Sequence, residues 1–232
     1  MKSRILFLIA LAPLLLAGAV AQDSEDASAY LQWPAQKAEL VGKSTYRDGK
    51  VGSRWLGDTR GLKTERALNY KLRATWFTPE VIRASARSAQ LKDRLTDRET
   101  QALVSEAEAV GGTVMMIELD PNEGSGVIPL DWSAFLQPEG DASPNDAVRG
   151  VQKPELRTVR AFQGVMQRNY DYERFWVVFP MVREDGKALL GPDKNSVELV
   201  VRIYNKEGKI SWPVPSSFRT LQDAPHTPAA PH

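Results

Sequence analysis

Alternating apolar and polar positions predict the first core strand at residues 70–76, where Tyr, Leu, Ala and Trp alternate with Lys, Arg and Thr. A period of two places successive side chains on opposite faces of a sheet, so this strand is expected to have one buried face and one solvent-exposed face. Similar apolar runs or alternations predict further strands at 113–119, 175–182, 197–203 and 209–212, the last two joined as a hairpin, and a short strand near Val148 and Val151.

Helix signals lie between the first two of these strands. The Thr-Pro-Glu sequence at 78–80 supplies an N-cap hydroxyl, a proline suited to the first turn and an acid near the amino end, which predicts a helix over 79–93. Thr96 and Glu99 have the spacing of a capping box, and they predict a second helix over 97–110.

Strands outnumber helices, and the helices come as one insertion. The predicted fold class is therefore mainly β (α+β), an antiparallel β-sandwich-like domain with a two-helix insertion between early strands. An open antiparallel sheet with the helices packed across one face is the alternative. The globular domain is expected over 67–215, after a polar, partly flexible lead over 22–66 in which Asp48 and Gly49 suit the turn of an edge hairpin. The Pro- and Ala-rich tail over 216–232 is expected to be disordered.

The amino terminus has the three-part layout of a secretory signal peptide. A cationic head at 2–4 and an apolar run at 5–16 are followed by small residues at 19–21. The run is interrupted by Pro13 and is too short to cross a membrane. We therefore expect cleavage after Ala21, and a periplasmic or secreted protein with no membrane anchor after cleavage.

Composition narrows the chemistry that the chain can perform. It has no cysteine, and its two histidines, His226 and His232, both lie in the tail. Without imidazole or thiol in the folded body, His-activated nucleophiles and the usual zinc sets are excluded, so no catalytic and no metal-binding residue is assigned. The 30 basic and 29 acidic side chains nearly balance, and loss of Lys2 and Arg4 with the signal changes this little. A nucleic-acid partner is therefore not expected.

Carboxylates gather around the loop over 120–126, where the candidate ligand-binding residues are Glu118, Asp120, Glu123 and Asp131. Oxygen ligands on a Gly-containing loop suit Ca²⁺, although the spacing departs from that of an EF-hand. Turn chemistry alone also explains the Pro, Asn and Gly residues of the loop. Calcium is thus an alternative to a plain strand connection, and no other cofactor is expected.

A second candidate surface is the run Tyr170, Asp171, Tyr172 and Glu173, which puts two carboxylates beside aromatic rings. On a strand, carboxylates at i and i+2 share a face about 7 Å apart, a geometry that allows an acid–base pair. Such pairs are more common as solvated strand ends. Three tryptophans fall within strand patterns and are expected in the core instead of a ligand groove: Trp76, Trp176 and Trp212.

Three segments, Val127-Ile-Pro-Leu-Asp-Trp132, Phe175-Trp-Val-Val-Phe-Pro180 and 197–212, resemble an exported bacterial protein family of unknown function. The resemblance covers about 68–214 of the chain. It implies no activity, substrate or catalytic motif, so the expectations of fold and function rest on the residues themselves.

The sequence favours an exported noncatalytic binding or structural module of the cell envelope or extracellular space. Its expected partner is a protein or a cell-surface polymer. One alternative is a calcium-stabilised adhesion module. The other is a carboxylate-dependent glycan hydrolase, which would use two of Glu118, Asp120, Glu123, Asp131, Asp171 and Glu173.

Overall fold

The computed structural model describes residues 28–53, 69–121, 127–140, 146–191, 194–215 and 217–218. The predicted signal peptide, Glu123 and both histidines lie outside the described residues. The described body reaches Phe218, whose ring stacks on Trp76 with centroids 4.9 Å apart. Part of the expected polar lead also belongs to this body, because residues 28–53 form helices and a strand.

In the described part of the chain, nine strands form one antiparallel sheet. In chain order they are β1 (Tyr46–Ser53), β2 (Tyr70–Phe77), β3 (Thr113–Pro121), β4 (Ser133–Pro138), β5 (Val148–Arg149), β6 (Val151–Gln152), β7 (Glu173–Phe179), β8 (Ser196–Ile203) and β9 (Lys206–Pro213). Their order across the sheet is β5-β4-β8-β9-β1-β2-β3-β7-β6. The mainly β (α+β) class is therefore confirmed. A sandwich is not confirmed, because the described strands join into one near-barrel sheet.

The segment over 148–152 brings the two edges of the sheet together. At one edge, β5 pairs with β4, and the Gly150 amide donates to the Ala134 carbonyl at 2.9 Å. At the other edge, β6 pairs with β7, and the Lys153 amide donates to the Trp176 carbonyl at 2.8 Å. Since only Gly150 separates β5 from β6, the sheet must roll until its edges are neighbours.

One apolar core fills the inside of this rolled sheet. It takes the inward-facing side chains of every strand except the short β6, as the period-two patterns predict. Leu72, Ile117 and Leu199 are among its fully buried members. The predicted burial of Trp76, Trp176 and Trp212 is confirmed, with Trp176 in a second cluster on the outer face.

Three α-helices belong to the described part of the chain: α1 (Ala35–Gly42), α2 (Pro79–Asp93) and α3 (Asp97–Glu108). The predicted start of α2 is confirmed, because the Thr78 hydroxyl accepts from the Val81 amide. The predicted capping box of α3 is also formed between Thr96 and Glu99. Within the described residues, no helix has the length and apolar character needed to span a bilayer.

The helices cover part of the outer face of β2, β3 and β7. Phe77, Met116 and Trp176 point outward from these strands and pack with apolar residues of α2 and α3. Three short 3₁₀ helices complete this layer, at Ala29–Gln32, Pro154–Thr158 and Arg160–Phe162. The expected two-helix insertion thus forms a cap on one side of the rolled sheet.

The edge hairpin expected around Asp48 and Gly49 is wrong, because both residues lie inside the single strand β1. This strand is central: it pairs with β2 through 46–51 and with β9 through 52–53. Gly49 serves packing here, since a Cβ at this position would lie 2.9 Å from the Ile210 side chain. The β8–β9 hairpin is confirmed, but it turns at Tyr204 and Asn205, earlier than expected.

Substitution of Gly150 tests how the sheet closes. An alanine Cβ at this position would lie 2.6 Å from a ring carbon of Phe179 and would also overlap Val177. We expect Gly150→Ala to lower the free energy of unfolding by about 1–3 kcal/mol, the usual cost of overpacking. Val151→Ala, at a 56% exposed neighbour, should change it by less than about 0.5 kcal/mol. Urea denaturation measures both values, and equal midpoints for the two variants would contradict this account of closure.

Candidate functional site

The outer face of β1, β2, β3 and β7 is apolar where the helices cover it and charged beyond them. We call this second part the charged face. Its members come from four strands and from the turn before β7: Asp48, Lys71, Arg73, Glu118, Asp120, Tyr172 and Arg174. Directly opposed residues of antiparallel strands share a face, so the strand register itself assembles this surface.

Four charges of alternating sign cross the charged face in register. Asp48 is opposite Arg73, Arg73 is opposite Glu118, and Glu118 is opposite Arg174. The Arg73 Nε lies 2.9 Å from the Asp48 Oδ1, and the Arg174 Nε lies 2.6 Å from the Glu118 Oε1. The Glu118–Arg174 pair is the buried one, with side chains 4% and 10% exposed. Removing either side chain would therefore destabilise the fold far more than breaking a surface pair does, because the other charge would stay buried without a partner.

A second row lies beside the first. The Lys71 Nζ is 2.7 Å from the Asp120 Oδ2, and this contact raises the pKa of Lys71. The guanidinium of Arg73 stacks on the Tyr172 ring, 4.1 Å from its centroid. Burial raises the pKa of the Tyr172 phenol, although Arg73 and Lys71 act in the opposite direction. Tyr172 thus stays neutral and serves as an aromatic platform for the two cations.

Tyr46 extends the charged face toward its β1 edge. Its hydroxyl donates to the Asp48 Oδ1 at 3.0 Å. Burial and this hydrogen bond raise the pKa of Tyr46 to about 12. The phenol is therefore a donor at neutral pH, and the Asp48 carboxylate is held between this donor and Arg73.

Glu118 and Asp120, two of the predicted site residues, do share one face of the sheet. Glu118 contacts Arg174, and Asp120 contacts Lys71. Neither carboxylate lines the cleft or the smaller hollow that are described below. The arrangement is suited to joining neighbouring strands, because each pair bridges two of them.

Tyr172, a third predicted site residue, also belongs to the charged face. Tyr170, Asp171, Glu173 and Asp131 do not join it. Tyr170 and Asp171 lie in an exposed turn before β7, so the two acids do not lie together on one strand, and they belong to the solvated strand end that is the more common arrangement. Glu173 begins β7 opposite Leu119 and lies on the other face of the sheet from Arg174. Asp131 is exposed in the turn before β4.

Among the described residues, no three acidic side chains are close enough together to hold a metal ion. The loop that motivated the calcium alternative extends over 122–126, outside those residues. Calcium binding therefore stays a prediction.

A cleft of about 730 Å³ lies on the opposite side of the rolled sheet, against the outer faces of β4, β8 and β9. Its size is typical of ligand sites in proteins. The floor is apolar: Phe135 and Val200 are directly opposed on β4 and β8. The wall comes from the turn after β7, which contributes Pro180 and Val182.

The turn that forms this wall is held at both ends. A bridge joins Val182 to Ala188, and Gly186 takes the positive φ of 79° that the turn requires. The Arg183 guanidinium donates to the Asp146 carboxylate, which ties the turn to the segment before β5. The wall is therefore fixed relative to the floor by a charge-assisted contact.

Charged side chains form the rim of the cleft. The Arg202 Nε lies 3.0 Å from the Glu207 Oε2, and the Lys209 Nζ lies 2.8 Å from the Glu198 Oε2. The Arg202 guanidinium also stacks on the Phe135 ring at 4.9 Å. Arg149, which lies on β5 opposite Phe135 of β4, completes the rim.

Arg149 separates the cleft from a smaller hollow of about 430 Å³, which we call the seam hollow because it lies where the sheet closes. Leu130, Trp132 and Val151 line it. Leu130 is 99% exposed, and Val151 is 56% exposed. The cleft and the seam hollow thus meet at Arg149, and each has apolar residues beside that side chain.

Sequence reasoning did not identify the cleft or the seam hollow. One feature of the sequence did point to the cleft. Val200 alternates with Glu198 and Arg202 on the outward side of β8, where charged residues indicate a solvent-exposed face. In the structure Val200 is only 1% exposed. An apolar residue on the polar face of a strand therefore indicated that something covers that face.

Comparisons with known proteins give no relative for this chain. No family model matches it, and neither the curated proteins nor the solved structures contain a significant match. The resemblance to an exported family therefore assigns no activity, and the functional argument rests on geometry.

The Glu118–Arg174 pair can be tested by removing its cation. We expect Arg174→Met to lower the free energy of unfolding by about 3 kcal/mol, because Glu118 would stay buried without a partner. A Glu118→Gln, Arg174→Met double variant should recover most of that loss. The matched control is Lys43→Met, which removes an exposed pair with Glu39 and should cost less than about 1 kcal/mol. If chemical denaturation gives equal losses for Arg174→Met and Lys43→Met, the pair has no such role.

Proposed function

We propose that the chain is an exported, noncatalytic binding module of the cell envelope or extracellular space, and that the cleft on β4, β8 and β9 is its binding surface. The observation that carries this proposal is the combination of an apolar floor with a charged rim in a cleft of about 730 Å³. The floor would remove apolar surface of a ligand from water, and the rim would orient its polar groups.

The strand framework around the cleft supports binding without a large rearrangement. The floor lies on three neighbouring strands of the sheet, and the wall is tied down by Arg183 and Asp146. A site held by paired strands loses little conformational entropy when a ligand binds. The ligand would therefore meet a largely preformed surface.

The glycan hydrolase alternative lacks support of this kind. It requires two carboxylates at one hollow, one of them free to hold a proton. Three carboxylates line the cleft. Glu207 contacts Arg202, Asp185 accepts from the Lys187 amide and lies 3.4 Å from Arg183, and Glu184 is exposed. Glu184 is not among the acids that the sequence predicted for catalysis. The backbone hydrogen bond from Lys187 lowers the pKa of Asp185. These contacts favour recognition over acid catalysis.

The export part of the proposal has a direct test. Expression of the full chain in a bacterium should yield a mature protein that begins at Gln22, because cleavage is expected after Ala21. Amino-terminal sequencing and intact mass of the protein in the periplasm or medium measure this. A product that retains Met1 and sediments with the membranes would contradict it.

The binding part is tested by capture from an envelope extract with the mature protein. Val182→Glu places a charge at a 45% exposed position of the cleft wall and should abolish capture of the specific ligand without unfolding the protein. Asp48→Asn is the control, because it changes an exposed residue of the charged face, on a different part of the sheet. Thermal melting of both variants checks that they are folded.

Two results would reject the proposal. The first is equal capture by the wild-type chain and Val182→Glu, since the cleft would then play no part. The second is release of soluble sugars from envelope glycans by the purified protein, lost in Glu118→Gln, because that would establish the hydrolase alternative.

A further inference from the structure

Arg149 differs from the other cations of the cleft. Arg202 and Lys209 each contact a carboxylate, whereas Arg149 makes no ion pair with any of the residues that the structure describes. It is also exposed, so its guanidinium is accessible to a ligand. A guanidinium presents paired donors that match a carboxylate, and such contacts are among the strongest hydrogen bonds in proteins.

Apolar surface lies on both sides of this cation. In the cleft, Phe135 is directly opposite Arg149, and Val182 is part of the wall. In the seam hollow, Leu130 and Val151 expose large apolar side chains to water. Exposed apolar residues grouped at a hollow are typical of protein–protein contact sites.

The spacing of Arg149 and Val151 matches that of alternate residues in an extended peptide. Val151 is two residues from Arg149, which corresponds to about 7 Å along an extended chain. Phe135 is on the neighbouring strand, about 5 Å away. In a bound β-strand, residues i−2, i and i+2 point to the same side at about 7 Å intervals. A bound strand that runs along β5 and β6 could therefore place an acidic side chain on Arg149 and an apolar side chain, two positions away, on Val151, with Phe135 beside the acidic position.

From this geometry we infer that the cleft and the seam hollow together bind an extended segment of a partner protein in which an acidic residue has an apolar residue two positions away. The acidic side chain contacts Arg149 beside Phe135, and the apolar side chain packs on Leu130 and Val151. This inference rests on the proposed function, and it names the class of partner for the same surface.

A polypeptide fits this surface better than a glycan does. Leu130 and Val151 offer aliphatic contacts without polar groups, which suit an aliphatic side chain and leave sugar hydroxyls without partners. Asp131 lines the seam hollow, and Glu184 lines the cleft. These carboxylates would repel a polymer with an anion on every unit, but they tolerate a single acidic residue placed at Arg149.

The test uses arrays of nonapeptides with randomised outer positions, a central Glu and Leu at positions −2 and +2. A matched array carries Gln in place of Glu. The mature wild-type protein should bind the Glu array about ten-fold more strongly, as expected for one charge-assisted contact. This preference should weaken as NaCl is raised, whereas binding to the Gln array should not change.

Variants of the protein identify the contact. Arg149→Gln should bind both arrays equally, and Arg149→Lys should keep part of the preference for Glu. Leu130→Ser should weaken binding to both arrays and leave the ratio unchanged, because it removes only an apolar contact. Arg98→Gln, on the exposed start of α3, is the matched control and should behave as the wild type.

Equal binding of the Glu and Gln arrays by the wild type would overturn the inference, as would a Glu preference that persists in Arg149→Gln. Arg149-dependent binding of a uronic acid oligosaccharide, with no peptide bound, would also overturn it, while the proposed binding function would stand. Failure of the proposed function is separate: it appears as capture from the envelope extract that Val182→Glu does not alter.

Discussion

Closure of the sheet by the segment over 148–152 is the constraint on which the rest of this fold depends. The chain has no cysteine, so no disulfide holds the strands, and the interior core supplies stability only if both sheet edges are sealed. Two very short strands, β5 and β6, seal them from opposite sides. They can do so because Gly150 has no side chain where Val177 and Phe179 occupy the space. Tight packing at one glycine thus turns an open sheet into a nearly closed one.

Closure also determines how much of the sheet faces outward, because the outer face of a rolled sheet has a larger area than its inner face. Helices cover only the part of the outer face around Phe77 and Met116. The remainder is stabilised in two ways. On the charged face, opposed ion pairs join the strands, with Glu118 and Arg174 buried between their neighbours. On β4, β8 and β9, a turn covers the apolar residue Val200 and leaves a cleft at its margin. The charges of the first surface pair with one another, whereas the second surface has exposed apolar groups and a guanidinium, Arg149, that makes no ion pair with a described residue. The second is therefore the better candidate for binding.

Local features of the sequence predicted local structure well. The boundaries of α2, the capping box of α3 and the β8–β9 hairpin each depend on residues close together in the chain. Long-range pairing was not predictable in this way. The central position of β1 depends on β2 and β9, and the partner of Glu118 is on β7, more than fifty residues later. The Asp48–Gly49 pair suggested a turn, but the same two residues also suit a strand in which a side chain packs closely against the glycine. The contact that shows which applies is with Ile210, which is remote in sequence. The cleft was missed for the same reason: its floor and wall come from segments remote in sequence.

The position of Arg149 links binding to stability. It immediately precedes Gly150, so the residue that separates the two hollows belongs to the segment that closes the sheet. A ligand in both hollows would contact β4 and the residues around β6, which are the two sides of the seam. Any ligand that binds only the closed sheet must stabilise it, by an amount that grows with ligand concentration relative to the dissociation constant. The closed sheet would then be most resistant to unfolding where such a ligand is present, because ligand contacts would add to the backbone hydrogen bonds that close the seam.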